Sequence, residues 1–482
     1  MTAALSIEQL AVAGGLLALI ALLTWMRVRA ARHDGSGKDV FLAGGGLSWL
    51  FVAGSITLTN LSTDQLVGMN GNQMLLLAWW EISGFVGLMI LAFVFVPIYY
   101  RNNCTTVTEL LDRRYSGETT SVRTLISALF LFGNILIYLP AGLYSGALFL
   151  SSLFGGGVPL IVLAAVLAII SAAYTMLGGL RAVAVMDTYS GFGVLAVAVL
   201  IVLLALNAIH WDFSGIPAER LSFIGAADSP IPFHTLFTGM IFIQIYYWST
   251  NQNITQKAMT APDVKEAQRG VLAAAAVRIL IIPVIVTVPG VVAYKLLGPV
   301  GDKSYGLLVA RILPPWLSGA FAAMIAAAVI AHTAAVLNST VALYAVDFHD
   351  RFIGRVRDHW RLSAVVTALV TASSIALVPL FEGAKHIINL LQQLNGLSSM
   401  PILSAFIVGL LFRGVSGSAA TAGVLWGVWL YALFTFVLEP GRLIPLHYID
   451  FMVVTLASSV LVALGVNRLT GGRARLALWG AA

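Results

Sequence analysis

The 482-residue chain is too apolar for a soluble protein, because 59% of its residues are hydrophobic and only 10% are charged. Soluble domains carry about 25% charged residues, so this composition predicts an integral membrane protein with many spans. The formal net charge of +6 does not indicate a nucleic-acid partner, since the basic residues fall in short gaps beside apolar segments. Cys104 is the only cysteine, which excludes an internal disulfide and a cysteine metal cluster.

Thirteen apolar segments are long enough to cross about 30 Å of hydrocarbon as helices. The predicted spans are 8–28, 47–69, 74–100, 122–154, 157–177, 184–208, 234–253, 270–295, 315–347, 361–380, 386–412, 417–438 and 446–467. Arginines follow the first segment rather than precede it, which predicts a retained helix and not a cleaved leader. No long linker separates the segments, so residues 1–482 are interpreted as a single all-α transmembrane domain.

The distribution of basic residues predicts the orientation of the chain in the membrane. Of the 27 lysines and arginines, twenty lie in alternate gaps and in the C-terminal tail, six lie in the other gaps, and Arg278 lies within a span. Basic residues gather on the cytoplasmic side of membrane proteins. We therefore expect the N-terminus outside and the C-terminus in the cytoplasm, in a bacterial inner (plasma) membrane.

Two predicted spans are unusually polar and lie five helices apart. They contain SITLTNLSTDQLVGMNG at Ser55–Gly71 and QIYYWSTNQNITQK at Gln244–Lys257. Polar, interrupted helices at equivalent positions are typical of inverted-repeat transporters with a central binding site, and a passive polar seam between helices is the alternative. The predicted division is an extra helix at 8–28, a first repeat at 47–208, a second repeat at 234–412 and two extra helices at 417–467.

Several amide and charged side chains are predicted to lie inside the spans, where each needs a partner or a water-filled cavity. Arg278 lies well inside the eighth span and Glu81 is its candidate partner, although Glu81 beside Trp79 and Trp80 also fits an interfacial position. This mixture of donors and acceptors suits a neutral polyhydroxylated ligand. The expected solute-binding residues are Asn60, Gln65, Glu81, Asn251, Arg278 and Gln392.

Two titratable residues suggest a path for a coupling ion. Asp187 follows a predicted tight turn at Gly178, Gly179 and Arg181, and is either an interfacial carboxylate paired with Arg181 or a waypoint for a cation. His332 is the only histidine near the middle of a span, and is either a packing residue or a group that changes charge, since imidazoles ordinarily titrate near neutral pH.

The sequence carries no motif of an enzyme. The stretch nearest to a phosphate loop, DGSGKD at 34–39, lacks the upstream glycine and has Asp39 where a serine or threonine should hold magnesium. This argues against an ATP-driven pump, and the residues indicate neither an organic cofactor nor a metal site.

Four segments resemble the sodium/solute symporter family and, within it, the sugar-transporting members. The segments are FLAGGGLSWLFVAGSITLTNLSTDQLVGMNG, YTMLGGLRAVAVMD, YYWSTNQNITQKAMTAPDVKEAQRG and LNSTVALYAVDFHDRF. The resemblance extends over about residues 41–413. It implies a LeuT-like fold of two inverted five-helix repeats, made of helices 2–6 and 7–11.

The resemblance also implies roles for residues in the solute site. Gln65 matches the glutamine of the family pattern N-[IL]-S-x-[ED]-Q, and Glu81, Asn251 and Gln392 match further sugar contacts of the family. Arg278 stands where a sugar-transporting member has a lysine, which keeps the charge but presents a planar fork of donors.

The cation site implied by the resemblance fits poorly. Ala331 and His332 replace a pair of serines on the ninth helix, and neither an alanine nor an imidazole suits a hard cation that prefers oxygen. Thr333 supplies one hydroxyl if the register shifts by a residue. We expect weakened or lost sodium dependence, with a proton taken up in place of sodium or with facilitated diffusion. The cation or coupling positions are Leu58, Leu61, Ala331, His332, Thr333 and Asp187.

The combined interpretation is a secondary transporter that moves a sugar or similar polar solute through the lipid bilayer by alternating access, with Na+ or H+ as the coupling ion. One alternative is a symporter of carboxylates or other organic anions, in which Arg278 clamps the anion. Another is a transporter-like sensor, although the tail after Arg468 is short for a signalling domain.

Overall fold

A computed structural model of the chain describes residues 6–29, 45–61, 63–115, 120–382, 386–439, 444 and 446–477. In the first half, the α-helices are α1 (Ile7–Arg29), α2 (Trp49–Asn60), α3 (Thr63–Asn72), α4 (Ala78–Ile90), α5 (Val96–Arg101), α6 (Val107–Arg114), α7 (Thr120–Gly133), α8 (Leu139–Leu153), α9 (Leu160–Ala208) and α10 (Ala218–Leu221). In the second half, they are α11 (Gly239–Ser249), α12 (Gln252–Ala258), α13 (Val264–Leu280), α14 (Ile282–Leu297), α15 (Ser304–Ile312), α16 (Pro315–Leu343), α17 (His359–Leu377), α18 (Ile387–Leu411), α19 (Gly417–Leu433) and α20 (Tyr448–Leu469).

Short segments of other geometry complete the described chain. Five-residue π-helical segments join α4 to α5 and α7 to α8, and a ten-residue π-helical segment, Tyr344–Ile353, follows α16. Two short strands, β1 (Phe412–Arg413) and β2 (Arg475–Leu476), pair antiparallel beside the end of α18. The protein is therefore almost entirely helical in the part that the structure describes.

Ten helices among the described residues are long and apolar enough to cross a membrane. The other three predicted spans correspond to shorter helices: 47–69 is divided into α2 and α3, 234–253 contains the 11-residue α11, and 157–177 overlaps the short apolar helix Leu160–Met176. The protein is an integral membrane protein, and the count of thirteen spans stays a prediction.

Both polar spans are interrupted in the structure. The helix α2 ends at Asn60, the backbone leaves the helical region at Leu61 (φ −74°, ψ 55°), and α3 begins at Thr63. The second interruption lies at Thr250 and Asn251, between α11 and α12. Helix ends leave backbone N–H and C=O groups without intrahelical partners, so these two breaks leave polar backbone groups within both predicted spans.

The tight turn predicted at Gly178, Gly179 and Arg181 is wrong, because the backbone is helical throughout the 49 residues of α9. A glycine inside a helix costs only about 1 kcal/mol relative to alanine, so two glycines without a proline do not require a turn. A straight helix of this length would extend about 73 Å, more than twice the thickness of the hydrocarbon core.

The long helix α16 forms the centre of the molecule, and α1 lies at its periphery. In the most apolar 18-residue window of each helix, 89% of the α16 residues are buried, compared with 6% in α1. The helix α9 packs along α16, and the Gly193 backbone lies against the Met324 side chain of α16. The polar breaks of α2–α3 and α11–α12 are therefore positioned around a rigid central helix.

The segment from His210 to Phe233 is attached to the end of α3. Arg220 donates to the backbone carbonyls of Asn72 (3.3 Å) and Gln73 (3.2 Å). The Trp79 indole donates to the carbonyl of Phe223 at 2.9 Å. These contacts cover one end of the interrupted α2–α3 span.

Candidate solute and cation sites

A cavity of about 60 Å³ lies beside the break between α2 and α3. On this measure a water molecule needs about 10 to 15 Å³, so the cavity has room for only a few waters. Its walls come from both interrupted helices and from α4, α13, α16, α18 and the segment joining α7 to α8. The lining residues are Asn60, Asp64, Gln65, Trp80, Tyr138, Ile243, Gln244, Tyr247, Arg278, His332, Ile388, Leu391, Gln392 and Asn395.

Four of the six expected solute-binding residues line this cavity: Asn60, Gln65, Arg278 and Gln392. Gln65 is 7% exposed and its amide oxygen accepts no hydrogen bond from the described residues. A buried carbonyl oxygen without a donor is costly, so Gln65 has an acceptor position to offer a ligand hydroxyl.

The Arg278 side chain is fixed from three sides. Its Nη2 atom lies 2.5 Å from the Glu81 carboxylate, its Nη1 atom donates to the Asn60 amide oxygen, and its guanidinium lies over the Trp248 ring at 4.2 Å. A side chain at Gly84 would come within 2.6 Å of the Arg278 Nε atom, so the glycine makes room for the guanidinium. The expected pairing of Arg278 with Glu81 is present.

Two expected solute contacts lie away from the cavity walls. Glu81 is fully buried and stands behind Arg278. Asn251 caps the N-terminus of α12, and its amide oxygen accepts from the Asn253 N–H at 2.9 Å. Asparagine is a preferred N-cap residue because its side-chain oxygen accepts from a free N–H of the first turn. The Asn251 oxygen makes this capping hydrogen bond and does not line the cavity.

Several lining residues were missed by the sequence reasoning. Gln244 and Tyr247 lie in the quoted polar stretch, and Asn395 lies three residues after Gln392, on the same face of α18. These spacings were signals that could have found them. Tyr138 gave no such signal, because it is one aromatic residue in an apolar run, yet its hydroxyl donates to the Asn395 amide oxygen at 2.5 Å.

Gln244 shows how the cavity wall is held in place. Its Nε2 atom donates to the Trp80 carbonyl at 2.6 Å and to the Ser83 hydroxyl at 2.9 Å, while its Oε1 atom accepts from the Trp248 indole at 3.0 Å. The amide thereby joins α4 to α11 immediately beside Arg278. Both helices present the cavity with polar groups in fixed orientations.

The expected cation positions lie on α2, at the break after α2, on α16 and on α9. Ala331 is fully buried, while His332 lines the solute cavity and lies against Gly142 of α8. Leu61 is buried, and the Leu58 side chain lies outside the described part of the structure. Thr333 is 2% exposed, and its hydroxyl makes no hydrogen bond among the described residues, so it remains a candidate oxygen.

Asp187 is buried in the protein and paired with Lys257. Its Oδ2 atom lies 2.5 Å from the Lys257 ammonium and accepts from the Ser55 hydroxyl at 2.9 Å. The side chains of Asp187 and Lys257 are each 1% exposed. The described residues contain no cluster of three or more His, Cys, Asp or Glu side chains suited to a metal ion.

Comparison with protein families gives a match to the sodium:solute symporter family over residues 40–431, most of the chain. The chain belongs to the sodium:solute symporter family. Among curated relatives of this symporter, the uncharacterized symporter YidK of Escherichia coli (strain K12) is 30% identical over 94% of this chain and 82% of YidK. The sodium/glucose cotransporter of Vibrio parahaemolyticus is 29% identical over 89% of this chain and 84% of its own length. The sodium/myo-inositol cotransporter 2 of Mus musculus is 26% identical over 86% of this chain and 67% of its own length.

Solved structures support the same fold for this symporter. A Na+-coupled sialic acid symporter in a substrate-bound outward-open state superposes with a TM-score of 0.82 at 18% identity, covering 98% of this chain and 100% of the other. MhsT in complex with L-phenylalanine gives a TM-score of 0.51 at 13% identity, covering 87% of this chain and 98% of MhsT. The chain is thus a secondary transporter of a small-molecule solute and not an enzyme.

Proposed function

We propose that this symporter carries a sugar or similar polyol by alternating access, with the cavity between the interrupted helices as its solute site. The supporting observation is the composition of the cavity wall, which combines the Gln65, Gln244, Gln392 and Asn395 amides with the Tyr247 hydroxyl. Hydroxyl groups of a sugar both donate and accept, as amides do. The sodium/glucose and sodium/myo-inositol cotransporters among the relatives point to the same class of solute.

The state of Arg278 favours a neutral solute over an organic anion. Its charge is balanced by Glu81 at 2.5 Å, and one of its donors is used by Asn60. A guanidinium that clamps a carboxylate needs two parallel donors facing the ligand. In this symporter Arg278 is better suited to orient Asn60 than to bind an anionic substrate.

Uptake into proteoliposomes tests the proposed substrate class. We expect accumulation of one or more of glucose, galactose and myo-inositol, and little uptake of an acidic sugar such as sialic acid. Gln65→Ala should reduce solute binding at least tenfold, because it removes a buried acceptor from the cavity wall. Gln268→Ala is the matched control, since the Gln268 amide donates to the Ala92 carbonyl outside the cavity. Equal solute binding by both variants would contradict the assignment of the site.

The coupling ion is the second part of the proposal. The family makes sodium the reference ion, but Ala331 adds no side-chain oxygen and His332 faces the solute cavity. We expect uptake to persist without a sodium gradient and to respond to a proton gradient, with the proton response lost in His332→Ala. Accumulation of the solute only with an inward sodium gradient would contradict the proposed proton coupling. Exchange of solute without accumulation would indicate a facilitator.

A further inference from the structure

The buried ion pair between Asp187 and Lys257 joins three helices close to the cavity. Asp187 belongs to α9, Lys257 to α12, and Ser55, whose hydroxyl donates to Asp187, to α2. The Lys257 ammonium also donates to the Ser55 carbonyl at 3.3 Å. We call this group of three residues the Asp187 cluster.

The Asp187 cluster is connected to the solute cavity through both interrupted helices. Ser55 lies five residues before Asn60, which lines the cavity, on the same uninterrupted helix α2. Lys257 lies near the C-terminal end of α12, the short helix that follows the break after the cavity-lining Tyr247. The cluster therefore attaches α2 and α12 to α9, which packs along the central helix α16.

The chemistry of the cluster suits a contact that breaks and re-forms better than a permanent one. Burial of an ion pair costs desolvation of both charges, and an apolar pair of similar volume is often at least as stabilising. The second carboxylate oxygen of Asp187, Oδ1, is buried and accepts no hydrogen bond among the described residues. The pair is thus incompletely satisfied in the closed arrangement, which lowers the difference in free energy between closed and open arrangements.

We propose that the Asp187 cluster is the contact that closes the cavity on the side of the α2 N-terminus, the cytoplasmic side in the predicted orientation, and that it opens once in each transport cycle. The proposal rests on the proposed alternating-access function. While the pair is intact, α2 and α12 are held on α9 and the cytoplasmic path is closed. Separation of Lys257 from Asp187 frees both half-helices to move away from α9 together.

A labelling experiment tests the proposal without knowledge of the solute. In a Cys104→Ser background, Ala331→Cys places a thiol at a fully buried position beside the cavity-lining His332. Inside-out vesicles are treated with a membrane-impermeant maleimide. Lys257→Met should raise the labelling rate about tenfold by shifting the population toward the open state. Lys257→Arg, which keeps the charge, should stay close to the parent.

Two further variants separate the closing role from a merely structural one. The double variant Asp187→Lys/Lys257→Asp restores opposite charges and should bring labelling back toward the parent rate. Arg123→Met breaks another ion pair, with Asp347 at 2.6 Å, which does not involve α2 or α12. It should leave the labelling rate unchanged. A Lys257→Met protein that is less stable but labels at the parent rate would overturn the proposal.

A milder variant covers the case in which Lys257→Met does not fold. Ser55→Ala removes one hydrogen bond from the cluster but keeps both charges, so labelling should rise about twofold to threefold. An unchanged rate in Ser55→Ala would then count against the proposal. Because labelling requires no transported solute, its failure is distinguishable from a failure of sugar uptake in proteoliposomes.

Discussion

At the scale of residues, the Arg278–Glu81 ion pair stands directly behind the wall of the candidate solute cavity. Glu81 is fully buried and its partner is 5% exposed, so neither charge is solvated. The loss of one partner of a buried pair leaves an uncompensated charge, and such losses typically cost about 3 to 5 kcal/mol. The pair therefore couples the stability of the fold to the shape of the cavity.

Glu81→Gln is expected to lower the free energy of unfolding by about 3 to 5 kcal/mol, because it keeps the volume but leaves Arg278 unpaired. Solute binding should weaken as well, since Arg278 also donates to Asn60. Chemical unfolding in detergent and a binding assay on the same samples measure the two effects. Lys295→Gln is the control, because its pair with Asp212 is solvent-exposed and its loss should leave both quantities unchanged. Full stability of Glu81→Gln would contradict the interpretation.

The sequence predicted which polar residues lie inside the spans better than it predicted the side chains that pair with them. Gln65, Arg278 and Gln392 line the cavity as expected, since an unpaired polar group in hydrocarbon needs a cavity or a neighbour. Asn251 lies outside the cavity walls, where its oxygen caps α12, and its role in solute binding stays a prediction. The sequence suggested Arg181 or a cation as the partner of Asp187. In the structure, Lys257 forms the ion pair with Asp187 from 70 residues further along the chain.

At the scale of elements, the two breaks were predictable and their neighbours were not. Runs of asparagine, serine and threonine compete with helical backbone hydrogen bonds, which is why both polar stretches indicated interrupted helices. The two glycines Gly178 and Gly179 also suggested an interruption, but the helix α9 continues through them. Which helices pack beside each break depends on contacts between distant residues, and local patterns carry little information about them.

Close packing of α4 on α11 at Gly87 gives a prediction at this scale. A methyl group at Gly87 would overlap the backbone carbonyl of Gln244, whose side chain lines the cavity. Gly87→Ala should therefore push α11 outward, destabilise the protein by about 1 to 3 kcal/mol and weaken solute binding. Thermal unfolding and solute binding in detergent measure both. Gly14→Ala, on a helix face with nothing within 4 Å, is the matched control and should not destabilise.

Equal behaviour of the Gly87→Ala and Gly14→Ala variants would show that α4 and α11 tolerate separation. That result would show that close packing of these two helices does not hold the Gln244 amide in place. Loss of stability with unchanged solute binding would place the contact in the scaffold and outside the solute site.

For the molecule as a whole, the solute cavity lies between two groups of contacts that join separate helices. Toward the end of α3, the Asp302 carboxylate accepts from the Ile387 N–H at 2.8 Å, and Ser304 donates to the Asn70 carbonyl at 3.0 Å. Toward the start of α2 lies the Asp187 cluster. A cavity of about 60 Å³ has room for only a few waters, so we expect binding of a sugar to require movement of the surrounding helices.

The direction of these two ends follows from the predicted orientation, and labelling can test it. The distribution of basic residues predicts the C-terminus in the cytoplasm, with the exposed Ser214 outside and the exposed Arg355 inside. In a Cys104→Ser background, an impermeant maleimide should label Ser214→Cys in intact cells and Arg355→Cys only after permeabilisation. The reverse pattern would invert the molecule and make the Asp187 cluster an outer closure. Since both residues are exposed in the structure, the accessibility difference reports the membrane barrier and not burial within the fold.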